Sequence, residues 1–494
     1  MPKWRGMAAD LGASNGRTVL GEYDGAKVSL AEVSRFSNVP INLGGTLYWN
    51  FLGLFREVVA GLSKSSSQGK PPVSLGIDSW AVDFGLLDAS GELMQNPRHY
   101  RDHHNEGMMQ EVFARIPGAI VYERTGIQLM QINTLYQLMF LRLYRPALLQ
   151  GAKVLLLFPD LMIYFLTGVK IAEFTNATTT QLFNPYLGTW DQELMSKLDL
   201  PRQIFAPIVS PFQVIGPLRP DIVSANRTEK LSVVTVGEHD TASAVFAIPY
   251  EAENYAYISS GTWSLVGTVS EKPLITELTA KYNFTNEGGV NGNYRVLKNV
   301  MGLWLLQEVL RRLDQAGQSF SYSDLSALAL KAQAFECVID PDGSDFLAPV
   351  NMIEAIQAYC LRTHQSKPSN PGAISRVIFE SLALKYRFVI EKLEQVTGRS
   401  LEVIHIVGGG VHNELLCQMT ADATHKPVLA GPAEATIIGN ICAQLIAVKE
   451  LGPAEVPLLV RNSFPPQVYT PQKDRSAWDQ AYLKLLSLMG ERGA

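Results

Sequence analysis

Met7-Ala8-Ala9-Asp10-Leu11-Gly12-Ala13-Ser14-Asn15-Gly16-Arg17 is an apolar run that ends on an acid and opens into a turn of small residues. Residues 17–23 and 27–36 continue as candidate strands, so the turn joins one strand to the next. Such a turn offers backbone N–H groups to an anion and lets it come close. The Asp10 carboxylate at the strand end suits Mg²⁺, directly or through water. Arg17 adds donors shaped for phosphate. An ordinary hairpin turn is the competing reading, and on this segment alone the two stand level. It is not the usual P-loop, because Gly12 and Gly16 enclose three residues where that motif needs four, and Arg17 replaces its lysine.

Outward from the turn, Phe51, Phe55, Val58, Val59 and Leu62 recur at helical spacing, and 73–77 is a short apolar strand. Residues 105–225 read as mostly helical, with candidates at 111–116, 134–143 and 155–166 and a proline-rich loop at 211–221. A second strand set begins near Leu231, with strands expected at 233–236, 255–259 and 263–269. A long helix is expected at 373–396 and a strand at 403–407, opening into Gly408-Gly409-Gly410 and another helix. Each half thus begins strand, glycine turn, strand, and the division is expected near residue 245. Trp478, Tyr482, Leu485 and Leu488 suggest a final helix packed on the second domain.

Composition narrows the class. The chain has 494 residues, 47% of them hydrophobic, and a net charge of −5, so neither a basic nucleic-acid footprint nor wholesale disorder fits. Its 4 cysteines form no C-x-x-C pair, which argues against a disulfide framework or structural zinc. No apolar run reaches the roughly 18 residues of a membrane span, and residues 1–10 lack a signal peptide's apolar stretch. A cytoplasmic location without a membrane or nucleic-acid partner is the expectation.

Three further segments carry possible chemistry. Ser259-Ser260-Gly261-Thr262-Trp263 is a turn between apolar strands that suits a second phosphate contact, or is simply a turn. Val407-Gly408-Gly409-Gly410 lets a flat ring or a phosphate lie on the main chain, or makes a tight strand-to-helix turn. Asn413 stands where a dinucleotide fingerprint needs glycine. In Gly237-Glu238-His239-Asp240-Thr241-Ala242-Ser243-Ala244, Asp240 is either a helix N-cap or a general base. The run Tyr100-Arg101-Asp102-His103-His104 lacks metal-ligand spacing and reads as a loop.

In combination these segments resemble the FGGY family of carbohydrate kinases. Also matching are Gly76-Ile77-Asp78-Ser79-Trp80-Ala81-Val82-Asp83-Phe84, Thr175-Asn176-Ala177-Thr178-Thr179-Thr180-Gln181-Leu182, Thr285-Asn286-Glu287-Gly288-Gly289 and Arg295-Val296-Leu297-Lys298-Asn299-Val300-Met301-Gly302-Leu303-Trp304-Leu305-Leu306-Gln307. The resemblance runs from about residue 7 to about residue 445. It implies a two-domain α/β, actin-like ATPase (ribonuclease H-like) fold with a cleft between the domains. Residues 1–245 would bind sugar, carry the first phosphate loop and supply the catalytic aspartate, and 246–494 would bind nucleotide.

It also implies roles. Asp240 matches the catalytic base. Ala13, Ser14, Asn15, Gly16 and Arg17 match the first phosphate loop, with Asp10 beside Mg²⁺. Thr262, Gln307, Gly409 and Gly410 match ATP contacts. Ala81, His239, Asp240, Thr241 and Asn299 match sugar-site positions, with Trp80 and Asp83 lining the same pocket. Ala81 stands where glycine is common and Asn15 where serine is common. The implied reaction is phosphorylation by ATP of O1 of a ketose, L-rhamnulose before L-fuculose or xylulose. A non-catalytic actin-like filament or regulator and a bare hydrolase are the rivals. The first lacks a reason for sugar-site residues; the second lacks zinc and serine-hydrolase motifs.

Overall fold

The computed structural model describes residues 2–67, 69–226, 228–250, 254–347 and 349–491. Two compact units emerge. One gathers the chain up to Pro249 with Val269–Val296 and Ala435–Phe464; the other gathers Tyr250–Thr268, Leu297–Glu434 and the chain from Pro465. A single cut near residue 245 assigns those two later segments of the first unit to the other half.

The first unit is built on a six-stranded sheet in the order Val214–Pro217, Ser232–Val234, Ser74–Ser79, Trp4–Leu11, Asn15–Tyr23, Val28–Ser37. Trp4–Leu11 pairs antiparallel with Asn15–Tyr23 across the glycine turn and parallel with Ser74–Ser79. Trp4–Leu11 and Ser74–Ser79 are buried almost throughout, which is why, apart from Arg5, Asp10 and Asp78, they read as apolar and small residues rather than as an alternation. The chain returns from Val28–Ser37 to Ser74–Ser79 through helix Phe51–Ser67, which buries Phe51, Leu54, Val58 and Leu62. Helix Ala435–Ala447 returns to this sheet late in the chain. Its Gln444 donates to the Met7 carbonyl at 2.9 Å and accepts from Ser74 Oγ at 2.7 Å.

The second unit repeats the motif. Tyr255–Ser260 pairs antiparallel with Trp263–Ser270 and parallel with Val403–Val407, and Val428–Ala430 and Gln467–Tyr469 extend the sheet. Helix Pro371–Thr397, capped by Asn370 and ended by Gly398 at φ 66°, forms much of the buried interior of this unit. No helix of the described residues is long and apolar enough to cross a membrane.

Two expectations are corrected. The run 155–166 is not one helix: Val154–Leu157 is a strand paired with Phe84–Leu87, and the helix is Phe158–Thr167. An unbroken apolar run carries no period that separates strand from helix, and Pro159 is tolerated because it lies in the helix's first turn. The expected loop 211–221 contains strand Val214–Pro217, where proline is allowed because the strand is at the sheet edge.

Gly439, on helix Ala435–Ala447, faces helix Asp240–Phe246 so closely that an added Cβ would sit 1.9 Å from the Ser243 carbonyl oxygen. Gly439→Ala is expected to destabilise the protein by about 1–3 kcal/mol through overpacking. An unchanged urea midpoint would show that the two helices separate freely.

Candidate active site

Sheet pairing assembles the acids of the first unit. Asp10 and Asp78 are register partners at the ends of adjacent parallel strands, and Arg17 is the antiparallel partner of Asp10. Arg17 Nε donates to Asp10 Oδ2 at 3.0 Å. Asn440 donates to Asp78 Oδ2 at 2.6 Å, while Asp78 Oδ1 is buried with no hydrogen-bond partner. Burial first, and the neighbouring Asp10 second, push the Asp78 carboxyl well above its ordinary range.

The strand that carries Asp78 also fixes Asp240. Ser79 N donates to the Glu238 carbonyl at 2.9 Å, and Ser79 and His239 form an isolated parallel bridge. Asp240 is the first residue of helix Asp240–Phe246 and His239 is its N-cap. The N-cap reading of Asp240 therefore fails on position. Its side chain is 31% exposed, with His239 Nε2 3.6 Å from Oδ1 and Thr241 Oγ1 donating to Oδ1 at 3.0 Å. Enclosure raises the Asp240 carboxyl, against the pull of His239 and with a further push from Asp10.

Behind this segment lie acids that the sequence does not single out. Glu173 is fully buried and accepts from Thr175 N, Thr175 Oγ1, Asn176 N and Glu238 N. Its own N–H donates to Asp160 Oδ1 at 3.0 Å. Burial drives Glu173 up to about 7 and sends Asp160 and Glu238 well above the carboxylate range. Thr175 Oγ1 also accepts from His239 N, so this acid network holds the backbone that presents Asp240.

Trp80 and Asp83 do a joint task. Asp83 is buried, and its Oδ2 accepts from Trp49 Nε1 at 2.5 Å, Trp80 Nε1 at 2.9 Å and Tyr100 N at 3.3 Å. Its Oδ1 accepts from Gln137 Nε2 at 2.9 Å. Trp49 lies against Trp80 at 3.9 Å and against His99 at 4.0 Å between ring centroids. Asp83 thus locks an aromatic stack, its oxygens consumed by protein donors. Ala81 is half-buried beside Val82, a β-branched residue held at φ 69° with its carbonyl accepting from Thr134 Oγ1.

The phosphate-loop candidates Ala13, Ser14, Asn15, Gly16 and Arg17 stay together as the hairpin turn and its following strand. Gly16 packs against the Phe36 ring, which a Cβ there would meet at 2.3 Å and force to shift. Ser14 and Asn15 are exposed, and Asn15 Oδ1 accepts from Arg35. The 100–104 run is a loop with a single turn in which Asp102 accepts from His104.

In the second unit, Gln307 Nε2 donates to Thr262 Oγ1 at 3.4 Å, and the Thr262 carbonyl accepts from Trp304 N. Gly408 has φ 84°, and a Cβ on Gly410 would meet Ser260 Oγ at 2.0 Å, so the glycine turn packs on the strand leading to Thr262. Gly409 has open space above it. Thr262, Gln307, Gly409 and Gly410 therefore flank one hairpin end. Asn299 lies on strand Tyr294–Met301, in the part that belongs to the second unit.

Comparison with known proteins agrees with these motifs. Residues 6–247 match the N-terminal domain model, and residues 256–448 the C-terminal domain model, of the FGGY family of carbohydrate kinases. The chain belongs to this family and is a carbohydrate kinase. A rhamnulokinase of Oceanobacillus iheyensis is 41% identical over 93% of this chain and 96% of its own. One of Bacteroides thetaiotaomicron is 42% identical over 97% of this chain and 98% of its own. Among solved structures, a ligand-bound xylulose kinase from Lactobacillus acidophilus gives a TM-score of 0.83 at 16% identity, covering 98% of each chain. Plasmodium falciparum glycerol kinase with ADP gives 0.78 at 16% identity, covering 98% of each. The fold is the two-domain actin-like ATPase fold of these kinases.

Burial raises Asp83 from 3.8 to about 7 despite its four donors. A carboxyl that is harder to ionise in the fold than in the unfolded chain subtracts stability as pH rises between those values, and nothing more above them. The stability difference between wild type and Asp83→Asn is therefore expected to shift against wild type from pH 5 to 7 and then level off. Urea titrations across pH 5–8 measure this, and a flat difference would contradict it.

Proposed function

We propose that this chain transfers the γ-phosphoryl group of ATP to O1 of L-rhamnulose, giving L-rhamnulose 1-phosphate and ADP in L-rhamnose catabolism. The observation that carries the chemistry is the half-open Asp240 carboxylate, fixed at a helix start between His239 and Thr241. The sugar assignment is supported by relatives named rhamnulokinase at 39–42% identity over at least 90% of this chain.

Asp240 accepts the proton of the attacking hydroxyl as the new O–P bond forms and the bond to ADP breaks. The raised affinity of this carboxyl for a proton suits a base better than an ordinary surface aspartate would. His239, Thr241, Ala81 and Asn299 orient the sugar, and Trp80 forms the apolar wall that Asp83 steadies. Thr262, Gln307, Gly409 and Gly410 take the nucleotide, while the N–H groups of Ala13–Gly16 and the guanidinium of Arg17 take phosphate. Phosphoryl transfer is mostly positioning and charge stabilisation, which is what these groups supply.

Mg²⁺ fits the donors present. Asp10 and Asp78 are adjacent hard oxygen ligands, and Asp78 has a buried oxygen that lacks a donor. Mg²⁺ is commonly held by one or two carboxylates together with substrate phosphates and water. Asp10 would hold it, and its chemistry would be neutralisation of phosphate charge. The cytoplasm is the compartment this reading requires, and the four cysteines, all buried and free, suit it.

Asp240→Asn is expected to fold and bind ketose but to lose on the order of 10²–10⁴ in turnover. Coupled ADP release together with sugar-binding calorimetry measures both, and near-normal turnover would remove Asp240 from the role. Over a panel of ketoses, kcat/KM is expected to be highest for L-rhamnulose. A clear preference for L-fuculose or xylulose would reassign the substrate.

A further inference from the structure

Arg295 is wholly buried and unusually placed. Its Nε donates to the Gly288 carbonyl at 3.0 Å and its Nη2 lies 3.1 Å from Glu287 Oε2 and 3.0 Å from His239 Nδ1. Glu287 Oε2 is also 3.3 Å from His239 Nδ1. The other ring nitrogen, Nε2, is 3.6 Å from Asp240 Oδ1. All four residues belong to the first unit.

A guanidinium only donates, and it keeps its charge at any pH the fold survives. The Arg295 Nη2–H that points at Nδ1 therefore needs a lone pair there. Nδ1 then carries no proton, and a neutral ring carries its proton on Nε2, facing the Asp240 carboxylate. The opposite tautomer would offer Nδ1–H to Glu287 Oε2 at 3.3 Å, but it would set that N–H against the nearer Arg295 N–H at 3.0 Å and turn the Nε2 lone pair toward the Asp240 carboxylate. A doubly protonated ring keeps the first of these clashes. Glu287 serves by holding the Arg295 fork, since Nη2 has one hydrogen for it and one for the imidazole.

We propose that Glu287 and Arg295 are positioning residues that fix His239 as the Nε2–H tautomer, so that it donates toward Asp240 Oδ1 and leaves the other carboxylate oxygen to receive the substrate proton. This rests on Asp240 as the base. The tautomer itself does not, and it is read on the enzyme without substrate.

The test uses the full chain labelled with ¹⁵N-histidine, its eight histidines sorted by comparison with His239→Gln. His239 is expected to show a protonated Nε2 and a lone-pair Nδ1. A protonated Nδ1, alone or with Nε2, overturns the proposal even if the sugar panel and Asp240→Asn behave as expected. Turnover adds a second readout, because a glutamine amide reaches the place of Nε2 and an asparagine amide that of Nδ1. His239→Gln is expected to keep at least tenfold more kcat than His239→Asn, and the reverse order would refute the role. Arg295→Gln is expected to lower kcat about tenfold with a smaller change in ketose KM and to mix the tautomers. If burial makes that variant unfold, the wild-type spectrum and the two His239 variants still decide.

Discussion

The parallel pairing of Trp4–Leu11 with Ser74–Ser79 is the constraint on which the rest depends. It places Asp10 beside Asp78, and the next N–H along, that of Ser79, reaches the Glu238 carbonyl and carries the ladder on to His239. Three carboxyl groups, on Asp10, Asp78 and Asp240, are thereby gathered by backbone hydrogen bonds that do not depend on the charges they collect. Burial first, and the neighbouring carboxyls after it, raise the proton affinity of Asp78 and Asp240, most for the fully buried Asp78. Helix Ala435–Ala447 closes the arrangement: Asn440 donates to Asp78, and Gln444 ties the same helix to both strands.

A second tier of acid supports the first. Glu173 takes four hydrogen bonds, two of them from the segments that present His239 and Asp240, counting Thr175 Oγ1 as the link. Leaving charge in such a place costs several kcal/mol per ion. Protonation relieves part of that cost, which is why Asp160 and Glu238, with no basic partner in the network, hold their protons so firmly. A core stabilised only by apolar packing would not need this arrangement. The network lies against the segment that presents His239 and Asp240.

What the sequence shows of all this follows from locality. Glycine turns between apolar runs are local, and both hairpins, the helix over 373–396 and the strand Val403–Val407 were legible to within a few residues. Asp240 was legible because an acid followed by small residues opens a helix. The carboxyls of Asp78, Asp160, Glu173 and Glu238 were not, since an acid in a chain gives no sign that tertiary packing will bury it. Asp78 and Glu287 stand inside motifs of the family, yet the motif shows only the position and not the orphaned oxygen or the guanidinium behind it. For Asp83 the sequence shows only a place beside Ala81, and the four donors that converge on its carboxylate come from tertiary packing. The strand Val154–Leu157 escaped because burial on both sides erases the alternation that marks a strand.

The two units use one backbone plan for opposite electrostatics. In each, a hairpin's first strand has a parallel partner on its other side, and the chemistry sits where the paired strands end. In the first unit those ends carry the acids Asp10 and Asp78, and burial raises the proton affinity of Asp78. In the second the corresponding ends carry Ser259, Ser260, Thr262 and Gly408, which have no charge and offer hydroxyl and N–H donors. A nucleotide is an anion, so donors without counter-charge suit it, whereas a carboxylate there would repel the phosphates by several kcal/mol at close range. The contrast between the two units can therefore be traced to which residues occupy the same few positions of a shared strand plan.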